Sequence, residues 1–174
     1  AALYEKSGQC NRAAVLYKAA GDIPSAIRAC QAHLAAHPEA AELHLELGLL
    51  LESQGEHDRA IESLQQATRN PDHARAALMR LAESFIAKGL YDIALGRYRA
   101  CLGGRSDVAW DNLDIHYGMA RTLQLAGNYA EARRIYEAIL AIHYNYSDVQ
   151  KRLADVQALG SVFATQPKAA GAGP

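Results

Sequence analysis

Apolar side chains recur at intervals of three and four along most of this chain, the spacing that gathers them on one face of a helix. In LHLELGLLLES, just ahead of Gly55, and in DRAIESLQQA, just after it, this pattern predicts two amphipathic helices separated by the glycine. The arrangement repeats, with Gly21, Gly55, Gly89 and Gly127 spaced 34, 34 and 38 residues apart. Five residues after each glycine stands an alanine, Ala26, Ala60, Ala94 or Ala132, and four residues further come Cys30, Leu64, Tyr98 and Tyr136. Seven residues ahead of each glycine the side chain is small, Ala14, Gly48, Ala82 or Ala120, and four ahead it is large, Tyr17, Leu51, Phe85 or Leu123.

Each column has a physical reason. A glycine enters the left-handed conformation that ends one helix and turns the chain into the next at little steric cost. The small columns let paired helices approach closely, and the large residues on the same faces fill the space beside them. Neither helix of a pair can bury its apolar face alone, so the copies must stack. Helix boundaries carry further marks. Asp22 with Pro24 suits a capped start with proline in the first turn. Ser147 with Gln150 predicts a capping box opening a last amphipathic helix, whose Val149, Leu153, Val156 and Leu159 would cover the final pair until Gly160 ends it.

The third copy, LMRLAESFIAKGLYDIALGRYRACL, and the fourth, YGMARTLQLAGNYAEARRIYEAIL, carry small residue, aromatic or leucine, glycine, tyrosine, alanine and aromatic in register. In this the chain resembles the tetratricopeptide repeat family. The second copy, ending at Pro71, matches closely, and the first, ending at Pro38, is looser where Cys10 and Ala13 replace larger residues. The resemblance implies an all-α fold, a right-handed α-solenoid of stacked antiparallel helix pairs. It divides residues 1–160 into a remnant of a preceding unit at 1–8, copies at 9–38, 41–71, 75–103 and 112–144, and a covering helix at 147–159. Residues 161–174 then read as a flexible tail. The absence of an initial methionine, with Tyr4, Gly8, Ala13 and Tyr17 repeating the column offsets, leads to the expectation of a piece of a longer chain.

In that family the first helix of each pair lines a concave groove that holds a protein or peptide. The groove positions carried onto this sequence are Glu42, Leu45, Leu49, Glu52 and Ser53, then Ala76, Met79, Glu83, Ile86 and Ala87, then Asp114, Tyr117, Arg121, Gln124 and Leu125. The partner groove expected from them is Leu45, Leu49, Glu52, Met79, Glu83, Ile86, Tyr117, Arg121 and Gln124. It offers an apolar track for an amphipathic helix or extended peptide, with Glu52, Glu83 and Asp114 favouring basic flanks on the ligand. The opposing reading packs the apolar members between neighbouring copies. Family members that clamp the terminal carboxylates of chaperones use Lys, Asn and Arg in these columns, where only Arg121 has that charge here, so that ligand is not expected.

Composition changes the picture little. Eighteen Lys and Arg against 19 Asp and Glu leave no basic excess for nucleic acid or an anionic membrane, and no apolar run nears the roughly 20 residues of a membrane span. Cys10, Cys30 and Cys101 match no CxxC spacing and leave one thiol over, which favours a reducing, cytoplasmic setting. Cys30, His33 and His37 share a helical face with metal-ligand character, but Cys30 and His33 fill the packing columns of Leu64 and Ala67, and no metal or other cofactor is expected. His44 and His116 share one column and read as packing residues. Cys101 is expected to be buried and inert. No catalytic fingerprint occurs, so an enzyme is not expected. Trp110 lies in the four-residue lengthening before the fourth copy and is expected to pack on adjoining helix ends, the alternative being a partner anchor, while Tyr144 and Tyr146 are expected to pack at the joint between the last hairpin and the covering helix with their hydroxyls exposed. Beside the binding scaffold stand two alternatives, a self-association module and the regulatory or substrate-positioning arm of a larger enzyme.

Overall fold

A computed structural model of the chain describes residues 10–164, and among these every regular element is helical. The helices are α1 (Cys10–Ala19), α2 (Ile23–Ala36), α3 (Ala41–Ser53), α4 (His57–Ala67), α5 (Pro71–Ala87), α6 (Tyr91–Leu102), α7 (Leu113–Leu125), α8 (Tyr129–Ile142) and α9 (Val149–Ala164), with a short 3-10 turn at Trp110–Asn112. They fall into two compact units, divided between Cys101 and Leu102. None of the described helices is long and apolar enough to cross a membrane. The expected remnant at 1–8 and residues 165–174 lie outside the described region.

One backbone device makes every hairpin. Gly21, Gly55, Gly89 and Gly127 have φ between 73° and 79°. The residue after each glycine donates its N–H to the carbonyl of the large column, Asp22 to Tyr17, Glu56 to Leu51, Leu90 to Phe85 and Asn128 to Leu123, at 2.9–3.0 Å. The glycine N–H meanwhile reaches the carbonyl three residues back, completing a Schellman motif. The same following residue then accepts the first hydrogen bond of the second helix from the alanine column, as in Glu56 with Ala60 at 3.0 Å. Asp22 and Asn128 add a side-chain cap, accepting from the Ser25 and Glu131 N–H groups.

In the first unit the first helices α1, α3 and α5 lie side by side, tied by Lys18 to Glu46 at 2.6 Å and by Ser84 to Glu52 at 2.7 Å. The second helices pack behind them, α2 against α3 and α4 against α5. The alanine column is completely buried, with Ala26, Ala60 and Ala94 all at 0 % exposure, and beside it Cys30, Leu64 and Tyr98 are buried as well. In the second unit Ala132 and Tyr136 repeat the arrangement, and α9 packs against α8.

Three local expectations are corrected. Ser147 does not cap α9: its φ is +47°, the helix starts at Val149, and the Gln150 amide donates back to the Tyr144 carbonyl at 2.9 Å instead of forming a capping box. Gly160 does not end α9, which continues to Ala164, because a lone interior glycine costs a helix only about 1 kcal/mol. The segment from 161 to 164, expected in the tail, is therefore helical. Helix α5 also begins at Pro71, one turn ahead of the copy boundary at residue 75, because Asn70 caps it and accepts from the Asp72 N–H.

The small column has a sharp test at Gly48. A Cβ there would lie 2.5 Å from Leu64 Cγ, well inside contact distance. Gly48→Ala is expected to destabilise the protein by about 1–2 kcal/mol in urea unfolding, overpacking outweighing the better helix propensity. In a Leu64→Ala background the same change should instead stabilise, by up to about 1 kcal/mol, and equal effects in the two backgrounds would contradict the contact.

Candidate functional site

All the groove-column side chains escape burial. Leu45, Leu49 and Glu52 on α3 and Met79, Glu83 and Ile86 on α5 are half-exposed, while their neighbours Leu47, Leu50, Leu51, Leu81 and Phe85 are buried. Leu45 and Leu49 are four residues apart and share a face of α3, and Met79, Glu83 and Ile86 share a face of α5. Since α3 and α5 are direct neighbours, the first unit presents two adjacent half-apolar strips.

The carboxylates on this surface have other work. Glu52 accepts from the Ser84 hydroxyl at 2.7 Å, and Glu83 accepts from the Tyr98 hydroxyl at 2.8 Å. Tyr98 needs that acceptor because it is 1 % exposed, and a buried phenol without a partner would cost about 1–3 kcal/mol. Glu83 thus links the two helices of its own hairpin, and Glu52 links two successive hairpins. Burial pushes the Glu52 carboxyl above its ordinary value of 4.5; the Ser84 hydrogen bond, Arg80 and His57 oppose this, and Glu83 adds to it.

In the second unit the corresponding columns hold Tyr117, Arg121 and Gln124, all half-exposed and all turned to internal contacts. Tyr117 donates to Asp148 Oδ1 at 2.5 Å, and Arg152 reaches both groups, Tyr117 Oη at 3.2 Å and Asp148 Oδ1 at 2.9 Å. Arg121 and Arg152 each lie 5.8 Å from the Tyr117 ring centre. Burial works against the Asp148 charge, but the hydrogen bonds from Tyr117 and Arg152 prevail and hold its carboxyl below the usual range. Gln124 accepts from Tyr136, whose fully buried phenol is pushed up to about 12 by burial. These residues fasten α9 and the hairpin α7–α8, a role that column position alone does not reveal.

Several side chains depart from expectation. Trp110 stays 67 % exposed with one face 5.1 Å from His143, because the loop before α7 is held by its own polar bonds and presents the indole outward. Arg105 pairs with Asp107 at 3.0 Å and Asp111 at 2.7 Å, and buried Asn112 donates to the Asp107 carbonyl while accepting from the Ala109 N–H. Tyr144 is 70 % exposed, whereas Tyr146 packs edge-on to Tyr117 and His143 at 5.8 Å. Cys101 is half-buried, its thiol 3.8 Å from the Arg75 carbonyl. His116 is buried, with Nδ1 3.1 Å from the Asn112 carbonyl, while His44 is half-buried with Nε2 2.9 Å from the Pro38 carbonyl. Cys30 is fully buried and its thiol is pushed up to about 11, mainly by burial; His33 and His37 stack on each other at 4.7 Å.

A further feature shares only Glu42 with the groove positions. A cleft of about 800 Å³ opens in the first unit between α1 and α3, reaching His33 and the start of α5. Its apolar lining includes Val15, Leu16 and Leu43, with Val15 63 % and Leu16 42 % exposed. Val15 lies six residues before Gly21, the offset of Leu49 from Gly55, so the repeat spacing itself places it in a groove column of the looser first copy.

Models of the tetratricopeptide repeat match residues 11–74, 54–107 and 85–156. Among solved structures, a tetratricopeptide repeat protein from Parabacteroides merdae is 18% identical with a TM-score of 0.77, over 94% of this chain and 62% of that one. MamA is 19% identical with a TM-score of 0.74, over 86% of this chain and 79% of that one. Pseudomonas aeruginosa PilF is 16% identical with a TM-score of 0.69, over 90% and 71%. No curated protein matches the sequence.

The raised Glu52 carboxyl gives a pH prediction. The folded state holds this proton more tightly than the unfolded chain, so stability falls as pH rises from the ordinary value of 4.5 through the raised one. Gln keeps the acceptor for Ser84 without the charge. Glu52→Gln should therefore melt with the wild type at about pH 4 and above it at about pH 7. A variant that melts lower at neutral pH would refute the buried-charge cost.

Proposed function

The chain belongs to the tetratricopeptide repeat family, and from that membership we infer that it is a scaffold for protein–protein contacts whose partner lies across the first helices of the first unit. The observation that carries this reading is the partial exposure of Leu45, Leu49, Met79 and Ile86 on neighbouring helices where Leu47, Leu50, Leu51, Leu81 and Phe85 are buried. Half-exposed aliphatic side chains in parallel strips suit the apolar face of a helix or the alternate side chains of an extended peptide. Glu52 and Glu83, committed to Ser84 and Tyr98, act as fixed polar edges of the strip. In the second unit the corresponding residues serve their own scaffold: Tyr117 bonds to Asp148 and Arg152 at the start of α9, Arg121 lies over the Tyr117 ring, and Gln124 ties α7 to α8 through Tyr136.

The test is selection of a phage-displayed random peptide library on the full chain, followed by affinity measurement with a synthetic peptide of the enriched sequence. Leu49→Ser, Met79→Ser and Ile86→Ser together should weaken binding at least about tenfold, the loss of one good apolar anchor being worth about 1.4 kcal/mol or more. The positions are half-exposed, so circular dichroism should show the helices retained. Unchanged affinity in the helical triple variant would exclude this surface.

A further inference from the structure

The basic flanks expected of a ligand need free carboxylates, and Glu52 and Glu83 are occupied. Two other carboxylates of the same unit lie at the cleft between α1 and α3. Glu42 is exposed and makes no ion pair among the described residues, and Glu39, whose side chain is 77 % exposed, has only His37 at 3.7 Å, a partner that is charged only when protonated. The third carboxylate, Glu46, is bonded to Lys18 at 2.6 Å, which removes that lysine's charge from the balance. Arg12 is the other cation on the lining. Glu42 and Glu39 thus stand over an apolar floor built by Val15, Leu16 and Leu43. The space of about 800 Å³ accommodates a few side chains and not a whole domain.

We propose that this cleft anchors a partner peptide through one bulky apolar side chain seated on Val15, Leu16 and Leu43 and a neighbouring lysine or arginine paired with Glu42 and Glu39. The proposal rests on the reading of the first helices as the partner surface and adds the chemistry of the partner and the place where it is read. An apolar anchor desolvates the mouth of the cleft and so strengthens the ion pair beside it, whereas either contact alone on an exposed rim is weak. An acidic peptide, such as a carboxylate-rich tail, meets repulsion from both free glutamates.

The same peptide selection tests this with the full chain. Enriched sequences should combine a large aliphatic or aromatic residue with a lysine or arginine within one helical turn. The synthetic peptide should lose at least about tenfold in affinity on Val15→Ser and on Glu42→Lys, and bind more weakly as salt rises. Both positions are exposed, so each variant should keep the wild-type melting temperature. Sensitivity to the Leu49, Met79 and Ile86 triple variant but to neither cleft variant overturns the cleft and leaves the groove reading standing. Insensitivity to all of them overturns both. Enrichment of acidic sequences overturns the charge assignment. Self-association abolished by Val15→Ser, with no peptide enriched, makes a second copy the occupant and overturns the proposal.

Discussion

Two helices joined by a few residues can lie antiparallel only if the backbone reverses at once, and here the reversal is made by one residue in the left-handed region. With φ near +75° at the four hairpin glycines, the following N–H closes the first helix on the carbonyl of the large column. The carbonyl of that same residue opens the second. The crossing point is therefore fixed relative to the side chains on both helices. Fully buried alanines and a glycine facing Leu64 at sub-contact distance to any added Cβ are the consequence of holding the helices that close. Packing, columns and exposed strips all follow from this link.

Because the link acts through backbone geometry, it writes itself into sequence as spacing, and the hairpins were legible for that reason. Gly21, Gly55, Gly89 and Gly127 each mark a turn, and the small and large columns beside them mark the buried faces. Features that depend on which polar group finds which partner were not legible. Nothing in the spacing announces that Glu83 must satisfy Tyr98, that Gln124 must satisfy Tyr136, or that Asp148 draws Tyr117 and Arg152 together. The exposure of Trp110 is not legible for the same reason. Its habit of burial gave way to a loop whose Arg105 and Asn112 bonds fix the backbone independently of the indole.

The candidate site separates along the same line. Exposure of Leu45, Leu49, Met79 and Ile86 follows from helical phase once the buried columns are known. The availability of charge does not: Glu52, Glu83 and Glu46 are bonded to Ser84, Tyr98 and Lys18, whereas Glu42 at the α1–α3 cleft is exposed and makes no ion pair among the described residues. Phase places a side chain on a surface, and the hydrogen-bond census decides whether it is free to act there.

The residue after each glycine serves both helices, as last donor of one and first acceptor of the next, so the turn contains no spare position. Inserting one residue there would rotate the second helix by about 100° and carry its apolar stripe away from its mate. Length variation in such a chain is thus confined to the joints between hairpins. The one departure from the 34-residue interval obeys this, falling between α6 and α7, where Gly103, Gly104 and the Arg105 ion pairs absorb four extra residues without changing the phase of either helix pair.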